Sequence, residues 1–302
     1  MSLGVDDMHR RTWSCATNLW ASHSLETALA RIARLGFGYV DLWASPPIAG
    51  HIDLEQDTAN KVRRLLQGNG LSAAALTLYF TTLEQKVRGM EMAAELGAGC
   101  VIFEPGPSAD FFERMTNLSV RGLTVGVPGE GLEKFAERLW SIVRRAQESG
   151  VRVALEVPHV YTVTETLAQV EGLLKLVDSR HLTLTLAPPH VLARGATVLE
   201  AVRQFAPRAD VFYLWDVKAG YRHEVDDRAF GSGDEQTPGN GSLRFQEIFA
   251  ALSACGFHGR YDVKCHGTEG WNDAERVSAV VQRGLQRLEQ QLGLVSAVAN
   301  PV

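Results

Sequence analysis

Side chains capable of proton transfer stand at or near the ends of short apolar segments. Glu104 and Glu156 each end an apolar run, His190 follows another, and Lys264 lies in the last one. A carboxylate or an imidazole can act as a general acid or base, and an imidazole titrates near neutral pH. A lysine ammonium can polarise a carbonyl, and a lysine amine can form a Schiff base with it. These residues are candidates for proton transfer beside a carbonyl, although His190 could instead serve only as a hydrogen-bonding residue.

A second group of side chains could bind a polyhydroxy ligand. Its early members follow the ends of predicted strands, where aromatic walls and amides commonly contact such ligands. Its later members border Glu156 and Lys264 or lie in a loop, where Arg222 and His223 could meet an anionic group. Packing, loop capping and plain solvation are the alternatives for every member. The group comprises Asn18, Trp43, Thr77, Tyr79, Glu104, His159, Tyr213, Asp216, Lys218, Arg222, His223 and His266.

Eight short apolar or β-branched runs alternate with stretches of helical period, a pattern typical of repeated βα units around a parallel sheet. Several of the helical stretches end in Gly, where a left-handed C-cap would place it. Eight such units predict a single-domain α/β fold, a (β/α)₈ TIM barrel. The predicted strands are 15–19, 39–43, 72–77, 101–104, 153–157, 182–186, 211–215 and 261–265.

The predicted barrel occupies residues 12–293, between an N-terminal tail at 1–11 and a C-terminal tail at 294–302. Two long connections, 106–131 and 218–242, follow strands and therefore fall on the C-terminal face, where barrel active sites are built. Loops of this length in a compact domain are commonly lids or binding loops. We expect both to act as lids.

Segments along nearly the whole chain resemble one known superfamily. GVRVALEVPH is similar to its strand that ends in a metal-binding Glu, and HLTLTLAPPH to the next strand, which normally reads LxxDxxH. VFYLWDVK resembles its HxHxKD strand, and TPGNGSLRFQEIFAALSACGFHGRYDVKCHG its closing loop, helix and strand. SLETALARIARLGFGYVDLW and AAELGAGCVIFEPG fit its first units. The chain therefore resembles the xylose isomerase-like TIM barrel superfamily of sugar phosphate isomerases, epimerases and type-IV AP endonucleases.

The resemblance implies a divalent metal site that is degenerate here. Carried over position by position, its four ligands fall at Glu156, Ala187, Tyr213 and Lys264, where the family has Glu, Asp, His and Glu. A methyl group and an ammonium cannot bind Mn²⁺, Mg²⁺ or Zn²⁺, and the lysine charge would repel the ion. We therefore expect no metal cofactor. If Lys264 points into the barrel mouth, its ammonium replaces the ion and faces Glu156, as part of a catalytic site or as a structural ion pair.

Three functional hypotheses follow. The first is a metal-independent isomerase or epimerase, with Glu156 or Glu104 as base, Lys264 as electrophile and His190 in support. The second is a non-catalytic ligand-binding pseudoenzyme. The third retains a relocated metal on a set drawn from Glu104, Glu156, His159, His190 and Asp216. Endonuclease activity is disfavoured because the net charge is acidic and the ligands of a multi-metal cluster are missing.

Composition fits a cytoplasmic protein, and the resemblance implies a role in sugar metabolism. Hydrophobic residues make up 45% of the 302-residue chain, enough to bury a sizeable core, and the formal net charge is -5. That charge predicts no nucleic acid or membrane partner, so a small sugar-like substrate is the expected one. The four scattered cysteines indicate reduced thiols rather than a disulfide framework. A homo-oligomer is compatible with the sequence, but no interface signature marks one.

Overall fold

A closed parallel barrel organises the chain and confirms the predicted (β/α)₈ fold. The computed structural model describes residues 9–46, 48–106, 129–222 and 229–294. The strands are β1 (Ser14–Ala16), β2 (Tyr39–Ser45), β3 (Ala49–Gly50), β4 (Ser72–Thr77), β5 (Cys100–Phe103), β6 (Arg152–Val157), β7 (Leu182–Leu186), β8 (Ala209–Leu214) and β9 (Arg260–Val263).

Eight of these strands form the barrel, and β3 forms a small antiparallel hairpin with β2. Parallel pairing runs from β2 through β4, β5, β6, β7 and β8 to β9, and β1 closes the ring by pairing with both β2 and β9. Because all eight barrel strands are parallel, their C-terminal ends open at one face. Residues at these ends are therefore brought together from distant parts of the sequence.

Helices surround the barrel and are capped by side chains that the sequence supplies at their first turns. Thr82, Thr166 and Thr197 each form a reciprocal capping box with a Gln or Glu three residues later. The helices are α1 (Leu25–Arg34), α2 (Ala59–Gly68), α3 (Leu83–Leu96), α4 (Leu132–Ser149), α5 (Leu167–Leu176), α6 (Pro188–Leu192), α7 (Val198–Phe205), α8 (Gly233–Gln236), α9 (Phe245–Ala254) and α10 (Ala274–Gln291). None of these described helices is both long and apolar enough to cross a lipid bilayer.

The alternation of side chains along the strands determines what the barrel contains. On β9, Tyr261 points outward and stacks on Phe249 of α9 at a ring-centroid distance of 4.3 Å. Asp262 and Lys264 therefore point to the opposite side, into the barrel. On β4 the side chains of Ala73 and Ala75 are too small to fill the lower interior. A cavity of about 470 Å³ consequently enters the barrel from its N-terminal face.

Element boundaries differ from the sequence predictions in two informative places. The first strand ends at Ala16, because Thr17–Trp20 turns into a 3₁₀ helix. The last strand ends at Val263, so Lys264 lies just past the regular ladder. Of the two long connections, residues 107–128 and 223–228 lie outside the described residues, and the lid role stays a prediction.

The chain just before the first strand is joined to the last helix. Arg10 is buried and donates two hydrogen bonds to Glu289 of α10, and it also donates to the carbonyl oxygen of Leu35 at 3.1 Å. His9 contacts the same carboxylate at 2.8 Å. Residues before position 12 thus take part in packing, while the predicted domain boundaries remain predictions.

Candidate active site

Glu156 lies at the centre of a polar cluster in the barrel mouth. It is the fifth residue of β6, and its carboxylate is fully buried. Oε1 accepts a hydrogen bond from Nζ of Lys264 at 3.0 Å, and Oε2 accepts one from the Tyr79 hydroxyl. Burial alone raises the pKa of Glu156, but the charges of Lys264 and His159 and the Tyr79 hydrogen bond outweigh it. The net pKa is lowered, so this group is held as a carboxylate.

Lys264 is enclosed by aromatic rings as well as paired with the carboxylate. Only 1% of the residue is exposed, and among the described residues its ammonium has one hydrogen-bond acceptor, Glu156. The negative ring faces attract a cation, and this attraction strengthens when water is excluded. We call the rings of Tyr213, Trp215, Tyr79 and Trp43, which surround Nζ, the aromatic cage. Nζ lies 4.2 Å from the ring centroid of Tyr213, 4.6 Å from that of Trp215, 5.2 Å from that of Tyr79 and 5.4 Å from that of Trp43.

The two tyrosines of the aromatic cage share a hydrogen bond. Their hydroxyl oxygens lie 3.3 Å apart. Burial, followed by the negative charge of Glu156, raises the pKa of both Tyr79 and Tyr213 well above its ordinary value. Both phenols therefore stay protonated near neutral pH and act as hydrogen-bond donors.

Two histidines stand beside the carboxylate. His190 is on α6, a short helix that begins with two prolines directly after β7, and its Nε2 is 3.6 Å from Glu156 Oε1. The His159 ring packs on the His190 ring with 4.1 Å between centroids, and its Nδ1 is 2.9 Å from the carbonyl oxygen of Val160. One ligand atom from each of Glu156, His159 and His190 lies within 4.8 Å of the others, so this group could hold a metal ion.

Glu104 is a second buried carboxylate, adjacent to Glu156 in the barrel. It follows β5 directly, and β5 pairs with β6 so that Phe103 lies beside Leu155. Its Oε1 accepts a hydrogen bond from the backbone of Phe80 at 3.3 Å, while Oε2 has no hydrogen-bond partner among the described residues. Burial, opposed by the charge of Lys86, raises the pKa of Glu104 to about 7. The pKa values of the two neighbouring carboxyl groups are therefore shifted in opposite directions.

The positions that correspond to the family's metal ligands do not fit a divalent ion. Ala187 offers a methyl group, Tyr213 a protonated phenol, and Lys264 an ammonium 3.0 Å from Glu156. A divalent ion at the centre of these three positions and Glu156 would be repelled by the positive charge of the ammonium. The degenerate metal site stays a prediction, because the group of Glu156, His159 and His190, which shares Glu156 with these positions, could still hold a metal ion.

Asp216 lies outside this cluster of contacts and shapes a loop. Its carboxylate accepts backbone hydrogen bonds at 2.9–3.1 Å. Burial raises its pKa to about 6, against the opposing effect of these bonds. These contacts match loop capping, the alternative to ligand binding at Asp216, and its role in ligand binding stays a prediction. The donors are the N–H groups of Val217, Gly239, Gly241 and Leu243.

The other candidate binding residues divide between the cluster and its rim. Asn18 is buried and donates to the carbonyl oxygen of Cys265 at 2.7 Å. His266 packs edge-on against Trp43 and Trp215 and hydrogen-bonds Glu269, so it stands at the rim. Farther out, Lys218 is half-buried, Arg222 is exposed, and His223 lies outside the described residues.

Sequence reasoning missed two side chains that contact the candidate residues. Trp215 contributes a ring to the aromatic cage and packs against His190 at 5.3 Å. Asp41 lies beneath Trp43 and accepts hydrogen bonds from that indole and from Thr77, each at 2.8 Å. Strand alternation carried a signal for both, because Trp215 and Asp41 each stand two residues from a candidate that was recognised.

A family model described as xylose isomerase-like TIM barrel matches residues 29–290 of this chain. Among curated proteins, an inosose dehydratase from Bacillus thuringiensis is 27% identical over 145 residues, which is 45% of this chain and 47% of that protein. The chain spans about half the length of the curated relatives it matches.

Solved structures share the fold over almost the whole chain. IolI protein with a bound zinc atom is 16% identical, with a TM-score of 0.67 over 92% of this chain and 98% of that one. L-ribulose 3-epimerase is 17% identical, with a TM-score of 0.65 over 96% of this chain and 99% of that one. At these identities the likeness establishes the architecture alone.

Proposed function

This chain belongs to the xylose isomerase-like TIM barrel family, and we propose that it catalyses proton transfer in a small polyhydroxy ketone without the family's divalent metal. The observation that carries the proposal is the buried contact of 3.0 Å between Lys264 Nζ and Glu156 Oε1 inside the aromatic cage. A cation fixed there can serve the electrostatic purpose of a metal ion. Isomerisation or epimerisation is the reaction that we propose.

Lys264 acts as the electrophile. Removal of a proton beside a carbonyl places negative charge on the carbonyl oxygen, and a preorganised cation stabilises that charge most strongly where water is excluded. The aromatic cage holds the ammonium without consuming its N–H groups, since rings attract the charge and form no strong hydrogen bonds with it. Glu156 occupies one N–H. The remaining donors are available to a substrate oxygen.

Glu104 is the proton carrier in this proposal, and Glu156 is the permanent partner of Lys264. A general acid or base works best with a pKa near the working pH, and the pKa of Glu104 is about 7. Glu156 has a lowered pKa and two donors on its carboxylate, which make it a weak base. Environments that separate the pKa values of two carboxyl groups commonly divide their roles in this way. His190, whose Nε2 lies 3.6 Å from Glu156 Oε1, helps to hold the Glu156 carboxylate in place.

The relatives suggest the class of substrate. The inosose dehydratase match points to a cyclic polyhydroxy ketone, and the fold neighbour L-ribulose 3-epimerase to an open-chain ketose. Proton removal beside a carbonyl is the first step of both isomerisation and water elimination from such compounds. We propose this step as the common activity.

Solvent deuterium incorporation tests the step directly. Protein treated exhaustively with chelator is incubated in D₂O with a panel of ketoses and inososes, and proton NMR follows exchange beside the carbonyl. We expect exchange with at least one compound in the chelator-treated protein. Lys264→Met combined with Glu156→Gln should abolish it, because the electrophile is lost. Replacing both partners leaves no unpaired buried charge, so the fold should be retained.

Lys175→Met is the matched control, since Lys175 is exposed and pairs with Glu171 on the same helix. Its exchange rate should equal that of the parent protein. Loss of exchange on chelation, with recovery on metal addition, would contradict the metal-free mechanism. Exchange retained by the double variant would contradict the role of the Lys264–Glu156 pair.

A relocated metal is the second candidate, favoured by the ligand group of Glu156, His159 and His190. IolI protein, a fold neighbour, carries zinc. Metal analysis of protein purified without chelator tests this candidate. A stoichiometric transition metal that is lost in His190→Ala would establish it in place of the first.

Ligand binding without turnover is the third candidate, and the closure of the site favours it. Glu156 is fully buried, and the residues around Lys264 leave it 1% exposed. A saturable rise in Tm with an inosose or ketose, without deuterium exchange or product, would support this candidate.

A further inference from the structure

The cavity of about 470 Å³ at the N-terminal face is separate from the proposed reaction site. It reaches the inner side chains of Asp41 and Asp262, which stand two residues before Trp43 and Lys264 on their strands. Because a strand rises about 3.3 Å per residue, the inner end of the cavity lies one side-chain layer below the aromatic cage. Branched residues usually fill this level of a barrel. Here Ala73 and Ala75 leave it open.

Charges around this cavity do not balance. Among its described lining residues are three carboxylates, Asp41, Asp210 and Asp262, and two guanidinium groups, Arg152 and Arg260. Arg152 pairs with Asp210 at 2.5 Å. Arg260 stacks on the ring of Tyr39 and donates to the carbonyl oxygen of Thr12 at 2.7 Å. His258 also lines the cavity. With that imidazole counted as neutral, one negative charge is left over when the other five groups are ionised.

Asp262 is the least compensated of these carboxylates. It is 1% exposed, and among the described residues neither of its oxygens has a well-formed hydrogen bond. Burial, followed by the charge of Asp41, raises the pKa of Asp262 well above its ordinary value, although the nearby Ser14 hydroxyl, 3.3 Å from the carbonyl oxygen of Tyr261, lowers it. A buried charged group without a partner is costly, and such groups normally bind a counter-ion or take up a proton.

Asp41 provides a second carboxylate at the inner end of the cavity. Its oxygens accept hydrogen bonds from Thr77 and Trp43 at 2.8 Å, and these bonds hold the group in place. Lys264 lies above both aspartates, but Glu156 already balances its charge. When both aspartates are ionised, the positive charge that compensates them must therefore come from another source.

We propose that this cavity binds a small monovalent cation, either an alkali metal ion or a primary ammonium group, with Asp262 as its main partner and Asp41 as the second. One positive charge neutralises the lining, and carboxylate oxygens suit both hard cations and N–H donors. The cavity is large enough for the cation with part of its hydration shell. Binding here is independent of the proposed reaction, so failure of one leaves the other standing.

Thermal unfolding at constant ionic strength tests this site. The full-length protein is placed in tetraethylammonium chloride, whose bulky cation has no N–H donors, and this salt is replaced stepwise by NaCl, KCl or methylammonium chloride. We expect a saturable rise in Tm with at least one of the three probes. Asp262→Asn should remove the rise or increase the half-saturating concentration about tenfold or more, because a charged contact is lost.

Two further variants identify the place of binding. Ala75→Leu fills the cavity and leaves both carboxylates present, so it should also abolish the rise, even if Asp262→Asn folds poorly. Asp234→Asn, which removes a half-exposed carboxylate on α8, should retain it.

Three results would overturn the proposal. A Tm that is unchanged by all three probes would mean that Asp262 carries a proton instead. A rise that persists in both Asp262→Asn and Ala75→Leu would place the ion elsewhere. A response to Mg²⁺ with none to the three monovalent probes would exclude a monovalent site.

Discussion

Lys264 and Glu156 form a buried ion pair on which the proposed chemistry of the barrel depends. A cation attached to the chain faces the one carboxylate that the family's metal positions retain, and the aromatic cage excludes water from their contact. Neither residue is tolerable alone, because breaking a buried ion pair leaves an uncompensated charge. Stability measurements can therefore test the pair separately from any reaction.

Lys264→Met should lower the free energy of unfolding by about 3–5 kcal/mol, because it leaves Glu156 buried without its cation. Adding Glu156→Gln to the same chain should recover most of that loss. Urea denaturation of the two single variants and the double variant measures the coupling. Additive effects would show that the two side chains do not interact in solution.

Glu104 should make stability depend on pH. Its pKa is about 7 when folded, against an ordinary value of 4.5. A raised carboxyl pKa means that the folded protein holds the proton more tightly, so stability is highest below the ordinary value and falls as pH rises toward 7.

Glu104→Gln should therefore flatten the fall in unfolding free energy between pH 4.5 and 7, measured by urea denaturation at several pH values. Asp41, whose pKa is also raised to about 7, leaves part of the slope in place. An unchanged slope in Glu104→Gln would show that this carboxyl titrates normally.

At the scale of elements, the barrel strands were predictable because each is a short buried run followed by a stretch of helical period. Three very short elements, β3, α6 and α8, escaped prediction, since a few residues carry no period. Lys264 and Glu156 were located through their alignment with family strands. Asp41 and Asp262 were missed because a polar residue inside a parallel strand resembles a surface residue until closure of the barrel shows which side is inside.

The segment after β8 depends on Asp216, whose carboxylate gathers four backbone N–H groups. Asp216→Asn keeps the shape but replaces one acceptor oxygen with an NH₂ group. We expect a loss of about 1–3 kcal/mol in unfolding free energy, because buried donors are left unsatisfied. Hydrogen exchange at Gly239 and Gly241 should accelerate more than exchange in the barrel strands. Uniform acceleration across the chain would argue against a local role.

At the scale of the whole molecule, the barrel is held closed both by its ladder and by contacts between the two ends of the chain. The β1 strand joins β2 to β9, and Arg10 joins the preceding segment to α10 through Glu289. Residues distant in sequence thus share one cooperative unit. Glu156 and Lys264 are buried in the barrel mouth as well, so the proposed reaction requires the mouth to open for a substrate.

Arg10→Met should lower the unfolding free energy by about 3 kcal/mol, since the buried Glu289 loses its guanidinium partner. Removal of residues 1–11 should have a similar effect and thereby tests the predicted boundary at position 12. Arg64→Met, at an exposed arginine on α2, provides the control. Truncated protein that unfolds at the parent urea concentration would show that these contacts add nothing.

The covalent attachment of the cation at Lys264 has a consequence for how such an enzyme would be supplied and inhibited. A side chain needs no uptake system, no loading step and no competition with abundant wrong ions, so its activity would be indifferent to trace-metal starvation. The same attachment creates a chemical vulnerability. Small reagents that acylate amines, once admitted through the barrel mouth, would silence the protein permanently, whereas a lost ion could simply be replaced.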